Sequence, residues 1–357
     1  MREDKKTLSA AERLSYSLRE LFERYGYTQY RMSKFEEYDL YVRNKSFLLS
    51  DHIITFTDTD GKLMALKPDV TLSIVKNSPD EECGVRKLYY NENVYRVPRG
   101  AFSYKEIMQA GVECIGELDA YSVCEVLTLA AKSLFEISED FVLDVSDLGI
   151  ISSVVESMNL DRSGTERVLT AIGEKNVQGI EAVLSEYGVA SDKGATLCAL
   201  VTMSGDADEM LNILDKSDCI AEAREFAEIV NVLRERFGDR VRIDFSVVDD
   251  MRYYNGIVFK GFIKGIPTSV LSGGRYDSLM SRMGKKSGAI GFAVYLDLID
   301  ELDDEDDAYD CDVFLHYFPL TPIEKVSKRA EEIIAEGKSV RCGEVVGDTR
   351  FRRIEEI

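Results

Sequence analysis

The stretch Lys105–Gly116, KEIMQAGVECIG, alternates in character from residue to residue and ends on a glycine. A period of two is the signature of a β-strand, and it predicts Gln109, Gly111 and Glu113 on one face. Polar groups on a face otherwise built of apolar residues need partners, because burying them unpaired is costly. A ligand carrying an amine or an imidazole would satisfy Gln109 and Glu113. Water would do the same on a solvent-facing strand side, so this segment alone leaves both open.

The neighbouring segments extend the sheet. Upstream, RKLYYNENVYRV (86–97) reads as a hairpin-like pair around Asn91–Asn93, and HIITFTDTDGKLMAL (52–66) as a hairpin turning at Asp60-Gly61. KPDVTLSIVKN (67–77) puts Pro68 at a helix start, with Asp69 and Thr71 in the first turn where a carboxylate suits the helix dipole. The first helix is announced by a capping box, Ser9 to Glu12, followed by Leu14, Leu18, Leu21, Phe22 and Tyr25 on one face and Gly26 at the stop. Downstream, Asp119 starts a helix through Ile137, and FVLDVS (141–146) is a strand. Strands and helices mixed with hairpin signals predict an α+β fold, with an antiparallel or mixed sheet flanked by helices.

From about 150 to 236 the periodicity is helical throughout, which predicts a helical insertion. Strand character resumes at VRIDFSVVDD (241–250) and GIVFKGFI (256–263). SGGRYDSL (272–279) reads as a glycine turn at Gly273–Gly274, where the backbone can approach a ligand, and IGFAVYLDLIDEL (290–302) as a helix. ELDDEDDAYD (301–310) is an acidic run that reads as a solvated linker, placed at 303–310. Beyond it a strand (311–318), an amphipathic helix ending at Gly337 and a second strand (338–346) make one βαβ unit, a small C-terminal α/β piece over 311–357. A piece this small needs a docking surface to complete its core.

Composition excludes several function classes. A net charge of −21 and a pI near 4.7 argue against a general nucleic-acid binder, which draws on Lys and Arg to neutralise phosphates. Two histidines, His52 and His316, far apart in sequence, argue against a histidine-rich metal centre or a Ser-His-Asp triad. Seven scattered cysteines with no CxxC spacing predict reduced thiols in a cytoplasmic protein. The charged N-terminus and the lack of an apolar run of roughly 18 residues predict neither a secretory signal nor a membrane span. The adjacent Asp249 and Asp250 in VVDDMRYYNG would point to opposite faces of a strand and so cannot work on one atom as an acid/base pair.

Taken in order, these segments resemble the catalytic core of the histidyl-tRNA synthetases, a class II synthetase family. LKPDVT (66–71) is similar to the family's substrate-binding turn, and VYRVPRGAFSYKEIMQAGVECIG (94–116) to its motif 2. MRYYNGIVF (251–259) is similar to its tyrosine-pair strand, and SGGRYDSL with GAIGFAVYLDLI (288–299) to its glycine turn and motif 3. The similarity covers most of 8–302, within a core of 1–302. It implies a histidine pocket made by Asp69, Thr71, Arg96, Gln109, Glu113, Tyr253, Tyr254, Gly273 and Gly274.

The departures matter as much. Asp249 stands where the family has an arginine facing the reacting carboxylate and the ATP α-phosphate. Leu298 stands where motif 3 has an ATP-binding arginine, and Pro98 replaces an acidic residue. A carboxylate at the first position would repel two anions where adenylation needs charge stabilised. A pocket without activation chemistry, joined to part of an anticodon-binding domain, is the pattern of a non-catalytic paralogue, the ATP phosphoribosyltransferase regulatory subunit. The resemblance implies no cofactor, no catalytic or metal-binding residues, L-histidine as effector, dimerisation, and a hetero-oligomer with the short-form catalytic subunit. Alternatives from other classes are a divergent histidine-activating enzyme and a free-standing histidine sensor.

Overall fold

The computed structural model describes residues 8–44, 53–79, 84–97, 103–203, 205, 207–215, 217, 219–248, 253–299 and 309–357. Asp249, Asp250, Pro98, His52 and most of the 303–310 segment lie outside the described residues. The chain divides into two units, Met1–Ile299 and Asp300–Ile357.

The first unit opens with helix α1 (Ala10–Arg24), held by the expected capping box. The Glu12 amide donates to Ser9 Oγ at 3.2 Å and the Ser9 amide to Glu12 Oε2 at 2.9 Å. Its apolar face buries Leu14, Leu18 and Phe22, and Gly26 ends it at a φ of +80°. Short elements follow: β1 (Thr28–Gln29), β2 (Phe35–Glu37), α2 (Tyr38–Arg43), β3 (Thr55–Thr57), β4 (Leu63–Leu66) and α3 (Thr71–Asn77). The hairpin expected at Asp60-Gly61 joins β3 to β4, and β2 completes a small sheet in the order β2-β4-β3.

The main sheet is built on β5 (Val85–Arg96) and β6 (Lys105–Gly116), antiparallel over twelve residue pairs from Val85↔Gly116 to Arg96↔Lys105. This corrects the hairpin expected around Asn91–Asn93. Those asparagines pair in mid-strand with Ala110 and Met108, and their side-chain amides donate to Ser15 and Glu106 instead of making a turn.

After helix α4 (Ala120–Ile137), capped by Asp119, come β7 (Phe141–Asp147) and six helices: α5 (Leu148–Glu156), α6 (Arg162–Gly173), α7 (Val177–Glu186), α8 (Ser191–Thr202), α9 (Ala207–Leu214) and α10 (Ile220–Phe237). β8 (Val241–Ile243) is shorter than expected. Asp244 accepts from the Ser246 amide at 2.9 Å, and this local turn ends the strand. β9 (Ile257–Ile263), β10 (Leu271–Arg275), helix α11 (Asp277–Arg282) and β11 (Gly288–Tyr295) complete the unit, giving a mixed sheet in the order β1-β5-β6-β11-β10-β9-β7-β8.

Two further expectations fail here. Gly273 and Gly274 are paired on both sides within β10 and form no turn, and Ile290–Tyr295 is strand, where a helix was expected. β11 sits between β6 and β10 and places apolar residues on both faces, so its run carries no polar alternation to separate it from a buried helix.

One sheet face packs against α1, α4 and the helical insertion in a single apolar cluster. The other face carries a smaller cluster with Tyr41, Leu72, Leu88, Tyr90, Ile107 and Tyr276. In the second unit, β12 (Cys311–His316) lies between β13 (Val340–Gly343) and β14 (Phe351–Glu356), with helix α12 (Ile323–Ala335) burying Ile333. The strand β14 was not anticipated. Its Phe351 packs on Phe314 with ring centroids 5.8 Å apart. Among the described residues no helix is long and apolar enough to cross a membrane, and the six described cysteines are free.

The junction of α4 with the sheet is tight: a Cβ on Gly261 of β9 would stand 2.6 Å from Leu134, which is wholly buried. Leu134→Ala is expected to cost about 2–5 kcal/mol, measured by urea denaturation; a loss near zero would show that this layer does not carry the fold.

Candidate functional site

The pleat of β6 turns Gln109, Gly111 and Glu113 to the face that carries the smaller cluster. There a cavity of about 410 Å³ opens between the sheet, the N-terminus of α3 and the segment before β9. Its depth is set by small residues. Gly291 of β11 pairs with Glu113, and a Cβ on Gly291 would fall 1.9 Å from Glu113 Oε2. Only glycine at that position leaves the carboxyl its place.

Glu113 is the centre of the site. It is 2% exposed, Thr71 Oγ1 donates to its Oε1 at 2.7 Å, and the Tyr276 hydroxyl donates to its Oε2 at 2.6 Å. Thr71 is positioned by the start of α3, whose Leu72 amide donates to Asp69 Oδ1 at 2.8 Å. Burial pushes the Glu113 carboxyl up to about 8. The hydrogen bonds from Tyr276 and Thr71 oppose the rise, and the charge of Asp69 adds to it. Asp69 is itself raised by burial, against the pull of the Leu72 amide and the Arg96 guanidinium.

Tyr253 stacks edge-on with Tyr254 at 4.7 Å and lies 5.9 Å from Tyr276, so the aromatic wall has three members. Burial drives the Tyr253, Tyr276 and Tyr90 hydroxyls well above the ordinary tyrosine range, which keeps them protonated. Each Glu113 oxygen retains a lone pair after accepting its hydrogen bond. The cavity therefore offers a buried acceptor at one end and a guanidinium, Arg96, on the same strand pair further along. That polarity suits a small zwitterion with a protonated or hydrogen-bond-donating head. Among the described residues no three His, Cys, Asp or Glu side chains cluster as metal ligands.

Of the residues expected in the pocket, Asp69, Thr71, Arg96, Gln109, Glu113, Tyr253 and Tyr254 all line the cavity. The tyrosine pair precedes strand β9 instead of lying within it. Gly273 does not belong. Strand alternation turns it to the core face, where a Cβ would meet Phe292 and Phe259 at 2.4 and 2.7 Å. Gly274 does not line the cavity either; it lies beneath Tyr254, whose ring would stand 2.7 Å from a Cβ at this position. Tyr276, Tyr90, Lys260, Ser272 and Tyr295 also line the cavity and were not anticipated. Tyr276 sits inside the quoted glycine segment, but its contact with Glu113 spans 163 positions of sequence.

The Glu113 carboxyl ordinarily titrates near 4.5, so its rise to about 8 means the folded chain holds this proton more tightly than the unfolded one. Stability from this group is fully present below the ordinary value and is lost as pH rises through about 8. Glu113→Gln carries no such charge. Thermal denaturation of ligand-free protein should show its melting temperature gaining on the unaltered chain between about pH 5 and about pH 9; a constant difference would contradict the burial of this carboxyl.

The model of the histidyl-tRNA synthetase family matches residues 4–299. An ATP phosphoribosyltransferase regulatory subunit from Caldanaerobacter subterraneus subsp. tengcongensis is 30% identical over 290 residues, 79% of this chain and 75% of that protein. Among solved structures, an ATP phosphoribosyltransferase regulatory subunit/histidyl-tRNA synthetase from Bacillus halodurans superposes with a TM-score of 0.75 at 22% identity, over 97% of this chain and 93% of the other. A chain of the ATP phosphoribosyl transferase complex from Thermotoga maritima gives 0.62 at 17% identity, over 79% and 96%. With the family model covering nearly all of the first unit, the chain belongs to the histidyl-tRNA synthetase family and groups within it with the ATP phosphoribosyltransferase regulatory subunits.

Proposed function

We propose that this chain is the regulatory subunit of an ATP phosphoribosyltransferase, required by the short-form catalytic subunit in the first step of histidine biosynthesis. It carries out no chemistry of its own. It binds L-histidine in the Glu113 cavity, and this binding shifts the partner between competent and inhibited states. The protein acts in the cytoplasm, as a dimer within a hetero-oligomer.

One observation carries the proposal. The cavity retains the side chains that an amino-acid pocket needs, while Asp249 and Leu298 stand where the resemblance to the synthetases places arginines. Leu298 is half-buried and packs against the main apolar core. An aliphatic side chain there supplies no charge for a phosphate. The regulatory-subunit relatives and the Thermotoga maritima neighbour, solved as a transferase complex, support the partnership. Feedback requires only that histidine bind two states unequally, typically by about 1–3 kcal/mol.

Co-expression with a short-form catalytic subunit is expected to yield a complex that joins ATP to phosphoribosyl pyrophosphate, with no activity from either component alone. Glu113→Ala or Gln109→Ala should raise the histidine concentration for half-inhibition by about tenfold or more, a loss of about 1.4 kcal/mol or more. Histidine-dependent ATP–pyrophosphate exchange by the isolated chain would replace this function with that of a histidine-activating enzyme. Unaltered inhibition in both variants would move the feedback site elsewhere.

A further inference from the structure

The strand register lays out the cavity floor in rows. Glu113 stands beside Gly291, and Gly111 beside Ala293, which has Ser272 on its other side. In the next row Gln109 stands beside Tyr295. Strand β11 therefore presents glycine, alanine and then tyrosine to the same cavity, one large side chain after two small ones. The Tyr295 hydroxyl lies 2.6 Å from Ser272 Oγ, so a hydrogen bond between β11 and β10 braces the ring at that end. Both residues line the cavity and both are half-buried.

We propose that Tyr295, braced by Ser272, is a specificity-determining wall that admits a free amino acid and excludes one extended at its carboxyl end. The inference rests on the proposal that the cavity holds histidine. Charge sets the ligand's direction. Glu113 takes the imidazole or ammonium end, leaving the carboxylate to face the Gln109 row, with Arg96 two rows beyond it along β5. Tyr295 stands in the Gln109 row, where any group attached to that carboxylate would have to pass. A cavity of about 410 Å³ lies toward the small end of ligand pockets, consistent with a single amino acid.

Calorimetric titration of the purified chain with L-histidine and with the dipeptide L-histidyl-L-alanine tests this. In the unaltered chain the dipeptide is expected to bind more weakly. Tyr295→Gly should reduce the ratio of the two dissociation constants by about tenfold or more, and Ser272→Ala, which frees the ring while keeping it, by about threefold. Ser272→Ala serves as the test if the glycine variant does not fold. Histidine binding with an unchanged ratio in the variants overturns the wall alone, as does a dipeptide bound as tightly as histidine by the unaltered chain. Failure of every form to bind histidine removes the pocket's assignment, and the wall with it.

Discussion

The Glu113 carboxyl, buried between the Thr71 and Tyr276 hydroxyls, is the constraint around which the site is organised. A carboxyl removed from water is costly unless hydrogen-bonded, and its two donors come from segments 42 and 163 residues away in sequence. Both donors reach it only when α3 and the β10–α11 junction stand over the same stretch of β6. Gly291 is needed at the same moment, because any side chain there would occupy the carboxyl's place. Satisfying one buried group thus ties together the sheet register, the start of a helix and the aromatic wall.

That arrangement places hydrogen-bond acceptors at one end of the cavity and cations at the other. The groups around Glu113 are a threonine, protonated tyrosines and a second carboxyl, Asp69, which can receive hydrogen bonds and cations. Cationic groups stand further along, at Arg96 and at Lys260. A cationic ligand head arriving at Glu113 would favour its ionised form, so ligand and protein exchange electrostatic stabilisation across the pocket.

The second unit has a different character. Three parallel strands and one helix bury few side chains, and its surface is laced with ion pairs such as Arg350 to Asp310 and Arg352 to Asp312. Exposed pairs like these add little stability, so the unit relies on its small apolar centre around Phe314, Phe351 and Ile333.

Local rules made much of this protein legible in advance. The Ser9–Glu12 capping box, the Asp119 cap, the Asp60-Gly61 hairpin and the alternation of β6 each depend on residues a few positions apart, and each formed as the sequence determined. Seven of the pocket residues were legible through resemblance to a family whose motifs recur in order. Where contacts are long-range, only the tertiary structure decided the outcome. Two asparagines that suggest a turn are held in a strand by twelve residue pairs, and the Gly273–Gly274 pair became strand because β9 and β11 pair with it on both sides. An apolar run that suggests a helix is a strand because β6 and β10 pair with it along both edges. Tyr276 and Tyr295 joined the site for the same physical reason: strand pairing and burial bring together residues whose spacing in sequence carries no trace of their contact.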